Sequence, residues 1–415
     1  MYRVLASILV SLALSACTKV PGGPDTTKPT VSIIGPPANT TATDSLVVTV
    51  DASDNVGVAK VEIFFTNRIL PVAVDSVPPY IFRIPLADLG SGSHQFYAIA
   101  TDTAGNEAVS ASIPFTAQNT PGLKFLGQIT INGSARDVVA SGTVAYVAAG
   151  GGGIVVVDIS NVMILSTITQ YNSGDFVSGV ALEAQILFAA AGDQGIQALS
   201  TATADTLIAI ARLTAQGIDA QQVATRDSTV SIAGGTGGLF QINASAGDTL
   251  IELGKYDQGG DVRDVVLIGN YAYTAEGAEG MRVIDISVPD SLSAVYQFVP
   301  SVQASDLFVN GNYVFLADGL GGVLAFNSSA PAAPAYLSTF TSGAYMRGLS
   351  GMGQWVFAAA GDDGVFVINA IDPSSLAAAT NGTFNTSGYA YKVAAHNGYI
   401  LVADGVQLTI LKYVP

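Results

Sequence analysis

A unit of about 42 residues recurs along most of the chain, and this repeat constrains the fold more than any other feature. In each copy a Gly-rich turn precedes a short apolar run, as in GGGIVVVDI and AEGMRVIDI. The glycine before the run recurs at intervals of 42, 43, 42, 42 and 42 residues, at Gly153, Gly195, Gly238, Gly280, Gly322 and Gly364. A seventh copy, around Gly405, is slightly displaced. This regular spacing predicts an array of one structural unit.

Each copy contains four candidate strands separated by tight turns. One copy reads RDVVLIG, YAYTAEG, MRVIDIS and SAVYQFV, with a turn at Gly269-Asn270. Seven four-stranded sheets predict a seven-bladed β-propeller. The array starts with a lone strand of the fourth type, 123–131, and ends with a strand of the third type, 408–413. We therefore expect the two terminal strands to pair and close the ring.

The composition agrees with sheets that are buried on both faces. Hydrophobic residues make up 49% of the chain and charged residues only 12%, but after the first sixteen residues the apolar runs are far shorter than the roughly 18 residues that a membrane helix needs. The formal net charge is −16, without a cluster of Lys and Arg, which argues against nucleic acid as a partner. The sequence predicts an all-β protein.

The first 28 residues indicate export and anchoring. Residues 1–16 have one cation, Arg3, before an apolar stretch, which is typical of a secretory signal peptide. The segment LSAC, which ends at Cys17, resembles the bacterial lipobox. This resemblance implies cleavage before Cys17, lipidation of its thiol and a location in the cell envelope. Because Thr18 stands where an inner-membrane retention signal would have Asp, it further implies the outer membrane if the cell is Gram-negative. Residues 17–28 then form a Pro/Gly tether.

Residues 29–118 show short alternating strands at regular spacing, which favours an immunoglobulin-like sandwich. The segments DTTKPTVSI, DASDNVGVAKVEIF and GSHQFYAIATDTAGN resemble bacterial Ig-like domains of surface proteins. Over 123–415 the words IVVVD and RVIDI resemble the LVIVD-repeat family of bacterial and archaeal surface proteins. That resemblance implies an extracytoplasmic propeller and no particular chemistry.

The first residues of the innermost strands are candidates for a ligand site at the channel mouth. Three arginines and one lysine reach this ring in a chain with only 16 basic residues, and tyrosines flank it on two adjacent blades: Arg136, Arg263, Arg347, Lys392, Tyr345, Tyr389 and Tyr391. Guanidinium groups beside aromatic faces suit a carboxylate, a sulfate or a sugar. The alternative is that the arginines pair with Asp137, Asp264 and Asp306 and only stabilise the ring.

Oxygen-bearing side chains should gather at one end of the Ig-like module: Asp25, Asp51, Asp54, Asn55, Asp102 and Asn106. In that number they suit a Ca²⁺ site, for which Asp54, Asn55, Asp102 and Asn106 are the main candidates. Asx turns explain the same residues without a metal. No other cofactor is expected.

Catalytic groups are scarce. The two histidines, His94 and His396, have no Ser partner in the expected fold, and the only cysteine is the lipidation candidate. Acidic residues recur in the turns between the second and third strands, at Asp193, Glu276, Glu279, Asp318, Asp362, Asp363 and Asp404. We therefore expect a lipid-anchored, non-enzymatic binding, scaffold or adhesive protein with a protein or glycan ligand. The alternatives are a glycan-acting propeller enzyme that uses paired carboxylates and an accessory protein for envelope assembly.

Overall fold

The computed structural model describes residues 24–203, 205–245, 248–257, 259–299 and 302–415. Across these residues the secondary structure consists of strands and the turns that connect them, with no helix. The prediction of an all-β protein is therefore confirmed.

Nine strands build the N-terminal module as two sheets. Their bounds are β1 (Thr30–Gly35), β2 (Thr40–Thr43), β3 (Ser45–Ser53), β4 (Val58–Phe65), β5 (Ala73–Asp75), β6 (Tyr80–Pro85), β7 (Gly92–Asp102), β8 (Glu107–Val109) and β9 (Ile113–Gln118). One sheet has the order β1-β3-β6, and the other has the order β2-β9-β7-β4-β5 with β8 beside β7. Alternate residues of both sheets, among them Leu46, Ile63 and Phe96, fill the core between them. The module is an Ig-like sandwich, as predicted.

The first three blades of the propeller follow the strand β10 (Gly122–Ala135). Blade 1 contains β11 (Asp137–Ser141), β12 (Val144–Ala148), β13 (Ile154–Asp158) and β14 (Ser166–Tyr171). Blade 2 contains β15 (Gly179–Glu183), β16 (Ile186–Ala190), β17 (Ile196–Thr203) and β18 (Thr206–Leu213). Blade 3 contains β19 (Gln222–Arg226), β20 (Thr229–Ala233), β21 (Leu239–Asn243) and β22 (Ile251–Tyr256).

The next three blades repeat the same antiparallel order. Blade 4 contains β23 (Asp264–Ile268), β24 (Tyr271–Ala275), β25 (Met281–Asp285) and β26 (Ser293–Phe298). Blade 5 contains β27 (Asp306–Asn310), β28 (Tyr313–Ala317), β29 (Val323–Asn327) and β30 (Ala335–Phe340). Blade 6 contains β31 (Gly348–Met352), β32 (Trp355–Ala359), β33 (Val365–Asn369) and β34 (Ala377–Phe384).

Blade 7 joins the two ends of the propeller. It is formed by β35 (Ala390–His396), β36 (Tyr399–Val414) and the earlier strand β10, in the order β10-β36-β35. The first part of β36 pairs with β35 and its second part pairs with β10, where Leu123 lies opposite Tyr413 and Ile129 opposite Leu408. The prediction that the terminal strands close a seven-bladed ring is confirmed.

The innermost strands contact one another in a closed circle, from β11 through β15, β19, β23, β27 and β31 to β35 and back to β11. Backbone pairs join each blade to the next. In five of these joints a turn glycine pairs with the residue that precedes the next inner strand by two positions, as Gly150 does with Val177 and Gly277 with Ala304, and in a sixth Gly361 pairs with Ala390, the first residue of β35. Gly405 of blade 7 pairs with Ala135 ahead of blade 1, which makes the seventh joint.

The repeating glycine of the sequence has a steric cause. Gly153 has a φ of +77°, a left-handed conformation that favours glycine, and a Cβ at this position would clash with the carbonyl oxygen of Tyr171 in the adjacent strand. Gly195, Gly238, Gly322 and Gly364 have the same handedness and the same kind of obstruction. The glycine therefore recurs once per repeat because each repeat contains one tight turn of this kind.

Candidate functional site

Three residues from each blade surround the channel mouth at sequence positions i, i+2 and i+3. We call them the outer tier (Ser134, Phe176, Asp219, Asp261, Gln303, Tyr345 and Tyr389), the middle tier (Arg136, Ser178, Gln221, Arg263, Ser305, Arg347 and Tyr391) and the inner tier (Asp137, Gly179, Gln222, Asp264, Asp306, Gly348 and Lys392). The residue at i+1 is buried in every blade, as Ala135 and Val177 are. Most tier side chains line a cavity of about 590 Å³ at the mouth.

The inner tier connects neighbouring blades. Asp137 accepts a hydrogen bond from the backbone amide of Val180 at 2.9 Å, and Asp264 accepts one from Leu307 at 2.7 Å. Asp306 accepts one from Leu349 in the same way. Each carboxylate therefore bonds the second residue of the next inner strand, and all three are buried.

Lys392 supplies the positive charge of the inner tier. Its Nζ forms an ion pair with Asp306. Burial alone would lower the pKa of Lys392, but the nearby Asp264, Asp306 and Asp137 outweigh burial and raise that pKa. Burial raises the pKa of Asp306, and the neighbouring Asp264 raises it further. Gly348 leaves the space that Lys392 occupies, since a Cβ on Gly348 would contact its side chain.

The arginines do not pair with the inner-tier aspartates. The guanidinium carbon of Arg136 lies 4.1 Å from the ring centroid of Tyr391 and 5.2 Å from that of Phe176. Within the described part of the chain, no carboxylate forms an ion pair with Arg136, and its buried Nε has no hydrogen-bond partner. The alternative interpretation, in which Arg136 balances Asp137, is therefore not the observed arrangement.

Arg347 is held in a similar way on the adjacent side of the mouth. Its guanidinium carbon lies 5.6, 5.3 and 5.5 Å from the rings of Tyr345, Tyr389 and Tyr391, and its Nη1 donates to the Tyr389 hydroxyl at 3.0 Å. Its Nε is buried without a partner, and no described carboxylate forms an ion pair with it. Tyr391 thus contacts both unneutralised guanidinium groups.

Arg263 differs from the other two arginines. Its Nε donates to Asp261 at 2.8 Å. With the Gln303 amide nitrogen directed at the Tyr345 hydroxyl, the Gln303 oxygen accepts from Nη1 and Nη2 of Arg263 at 2.7 and 2.8 Å. The donors of Arg263 are therefore largely used within the protein, whereas those of Arg136 and Arg347 face the mouth with few partners.

Six of the seven candidate residues from the sequence line the cavity, and the seventh, Tyr389, accepts a hydrogen bond from Arg347. The sequence analysis missed four outer-tier residues that also line it, Phe176, Asp219, Asp261 and Gln303. The signal was present, because each lies two positions before a middle-tier residue, as Tyr345 and Tyr389 do. The two middle-tier serines have a structural role: Ser178 donates to the carbonyls of Ala220 and Gln221, and Ser305 makes equivalent bonds.

The acidic turns lie at the same end of the propeller as the mouth, because their glycines pair with the i+1 residues. Three of their carboxylates are buried. Glu276 pairs with Arg282 at 2.8 Å, Asp318 accepts from the backbone amide of Gln303 at 2.6 Å, and Asp404 accepts from Thr386 at 2.6 Å. The other four, Asp193, Glu279, Asp362 and Asp363, are exposed. The histidines bind backbone carbonyls, His94 that of Gly90 and His396 that of Gly142.

The predicted acidic cluster of the Ig-like module forms in part. Carboxylate oxygens of Asp25, Asp54 and Asp102 lie within 4.8 Å of one another, and one oxygen each of Asp25 and Asp54 is buried without a described hydrogen-bond partner. This donor set fits a hard cation such as Ca²⁺. Asn55 and Asn106 donate amide hydrogens to Asp25 and to Asp102 instead of presenting oxygens. Asp51 lies outside the cluster, on β3 opposite Ser32.

The proposed signal peptide and lipidation site, including Cys17, lie outside the described residues. Among the residues that are described, no helix is long and apolar enough to cross a membrane.

Solved structures with the same fold are distant in sequence. U3-55K aligns with a TM-score of 0.57 at 12% identity and covers 71% of this chain and 100% of its own. The WD40 β-propeller domain of Doa1 aligns with a TM-score of 0.56 at 14% identity over 71% of this chain and 97% of its own. The computationally designed protein Ika8 gives 0.52 at 12% identity over 70% and 99%. At these identities the likeness shows the fold alone.

Sequence families match both parts of the chain. Residues 29–98 match the bacterial Ig domain family, and residues 132–173, 259–298 and 303–341 match the LVIVD repeat family. The LVIVD matches fall on blades 1, 4 and 5. No curated protein gives a significant match. The protein therefore combines a bacterial Ig domain with a β-propeller that contains LVIVD repeats.

Proposed function

We propose that this is a lipid-anchored, extracytoplasmic binding protein without catalytic activity, and that its propeller captures an anionic group at the channel mouth. One observation carries the proposal: Arg136 and Arg347 lie in a concave site, on Tyr391, without an ion-pair partner among the described residues. The chain is acidic overall, yet two arginines lie in one cavity without carboxylate partners. Their guanidinium groups are the hydrogen-bond donors that a carboxylate or sulfate ligand needs.

The aromatic contacts support a binding role because they orient the guanidinium groups before a ligand arrives. Arg136 lies between Phe176 and Tyr391, and Arg347 is tied to the Tyr389 hydroxyl. Preorganised side chains lose less conformational freedom on binding. The lipobox at Cys17 supports anchoring in the cell envelope, with the Ig-like module between the anchor and the propeller.

A glycan-acting enzyme has less support from the geometry. Among the turn carboxylates, Glu276 already pairs with Arg282, and Asp404 accepts from Thr386 and from the backbone amide of Gly388. General acid–base catalysis needs carboxylates that are open to the substrate, which among the turn residues leaves Asp193, Glu279, Asp362 and Asp363 for such a role. A role as an envelope assembly accessory is compatible with the same mouth, with an acidic segment of a partner protein as the ligand.

The test is calorimetric titration of the mature protein with hexanoate and with glucuronate. We expect the double variant R136Q/R347Q to bind either probe at least about tenfold more weakly than wild type, because each charge-assisted hydrogen bond contributes on the order of 1.5–3 kcal/mol. R212Q, which removes an exposed arginine from the outer strand β18, is the matched control and should bind like wild type. Equal binding by all three proteins, or binding by none, would contradict the proposal.

A further inference from the structure

Besides the two unneutralised arginines, the outer tier of the channel mouth carries an unneutralised charge of the opposite sign. Asp219, in the outer tier of blade 3, accepts a hydrogen bond from the Gln221 amide at 2.7 Å. In the ranges that the structure describes, no lysine, arginine or histidine forms an ion pair with Asp219. It lines the same cavity as Arg136 and Arg347.

Asp219 contrasts with its neighbour in the outer tier. Asp261, at the equivalent position of blade 4, forms an ion pair with Arg263 at 2.8 Å. The middle-tier residue of blade 3 is Gln221, which is neutral, so Asp219 has no such counter-charge beside it. Asp219 and Asp261 therefore occupy equivalent backbone positions in blades 3 and 4, and they differ in that only Asp261 has a cationic partner.

In the outer and middle tiers, the two kinds of unneutralised charge lie on opposite sides of the ring. Arg136 and Arg347 belong to blades 1 and 6 and meet at Tyr391 of blade 7. In a closed ring of seven, blade 3 faces the gap between blades 6 and 7. The cavity between them therefore has a cationic side and an anionic side.

We infer that the ligand of the mouth is zwitterionic, with an anionic group at Arg136 and Arg347 and an ammonium group at Asp219. This inference rests on the proposed function and specifies its ligand class. A bipolar site favours a bipolar ligand because each charge meets its opposite, while a simple anion leaves Asp219 uncompensated. Free amino acids, short peptides with free termini and amino-sugar acids share this chemistry.

The experiment uses ω-amino acids as probes, since their chain length sets the distance between the charges. The mature protein is titrated with aminopropanoate, aminohexanoate and aminooctanoate that carry terminal amines, and with the carboxylates of matched length that lack the amine. We expect one zwitterion to bind at least about tenfold more tightly than its matched carboxylate, the gain of one charge-assisted hydrogen bond. D219N should remove that difference and leave carboxylate binding intact.

The outcomes separate the two proposals. If carboxylates bind, R136Q/R347Q abolishes their binding, and the amine adds nothing at any length, the zwitterion inference is wrong and the anion-binding function stands. If no probe binds wild type, both are wrong. D227N serves as the matched acidic control, because Asp227 lies in an exposed turn of the same blade, at the end of β19 that is remote from the mouth, and its loss should not reduce the preference for the amine. An equal loss in D219N and D227N would overturn the assignment of the ammonium to Asp219.

Discussion

The hydroxyl of Tyr399, in blade 7, donates a hydrogen bond to Asp88 of the Ig-like module at 2.6 Å. Asp88 also accepts from Arg68 of its own module at 2.5 Å and from Lys412 of β36 at 3.1 Å. Nearby, Asn161 of blade 1 donates to the carbonyl of Pro71 at 2.6 Å. The side chain of Asp88 is only 7% exposed, so this buried carboxylate is one of the links between the Ig-like module and the closing blade.

Replacement of this carboxylate should weaken the junction between the two domains. We expect D88N to lower the free energy of unfolding by about 1–3 kcal/mol, the cost of leaving buried donors with a poorer acceptor. Burial alone would raise the pKa of Asp88, but hydrogen bonds from Tyr399 and Arg68 outweigh it and lower that pKa. The carboxylate therefore contributes stability above its unfolded pKa, and the contribution is lost as the pH falls through the folded pKa. Calorimetry should show that D88N has a lower free energy of unfolding than wild type at about pH 7, and that this difference is smaller at about pH 3.

Removal of Lys392 should destabilise the inner tier. K392M leaves Asp137, Asp264 and Asp306 buried without the ammonium group, which costs on the order of 3–5 kcal/mol. Because burial and Asp264 raise the pKa of Asp306, the folded variant binds a proton at higher pH than the unfolded chain does, and lowering the pH from about 8 to about 5 should restore part of the loss. K255M, which removes an exposed partner of Asp257, is the control and should change stability by less than about 1 kcal/mol. A melting temperature in K392M equal to that of K255M would contradict this account.

Deletion of residues 122–131 should open the ring. The second part of β36 then loses its partner strand, which exposes an edge with Leu408 and Ile410 nearby and promotes aggregation. Light scattering and thermal melting of the variant measure the effect. Addition of a peptide of the deleted sequence should restore solubility by strand pairing. A soluble variant with an unchanged melting temperature would show that closure does not depend on this pair.

Calcium should stabilise the Ig-like module through Asp25, Asp54 and Asp102. We expect millimolar Ca²⁺ to raise the melting temperature, since saturation at about 100 times the dissociation constant contributes about 2.7 kcal/mol. D54N should abolish the shift, whereas D51N should keep it because Asp51 lies outside the cluster. A shift of the same size in D54N would show that the ion binds elsewhere.

Lipidation should depend on Cys17. We expect C17S to leave the chain either uncleaved or released from the membrane fraction, because the thiol that receives the lipid is gone. Fractionation of envelopes and metabolic labelling with a fatty acid measure this. Labelled, membrane-bound C17S protein would show that the lipobox is not used.

Much of the architecture was readable from the sequence because it depends on local geometry. Gly153 and its five equivalents recur because blades 1 to 6 each need a left-handed turn at the same place, and Gly405 forms the left-handed turn of blade 7. The lone strand near Leu123 pairs with the end of the chain because a ring leaves it no other partner. The tiers follow from the same period, which places Arg136, Arg263 and Arg347 at one depth.

The sequence by itself determined which residues reach the mouth, and only the tertiary structure decided which of their charges are neutralised. Arg136 and Arg263 are each followed directly by aspartate, and Arg263 also has Asp261 two positions before it, so the chain alone leaves open which aspartate it pairs with. In the fold, Arg263 pairs with Asp261, while Arg136 lies against Tyr391 from the far end of the sequence. The physical reason is that Arg136 finds its aromatic partners on the two neighbouring blades, and ring closure brings together residues whose separation along the chain carries no local pattern.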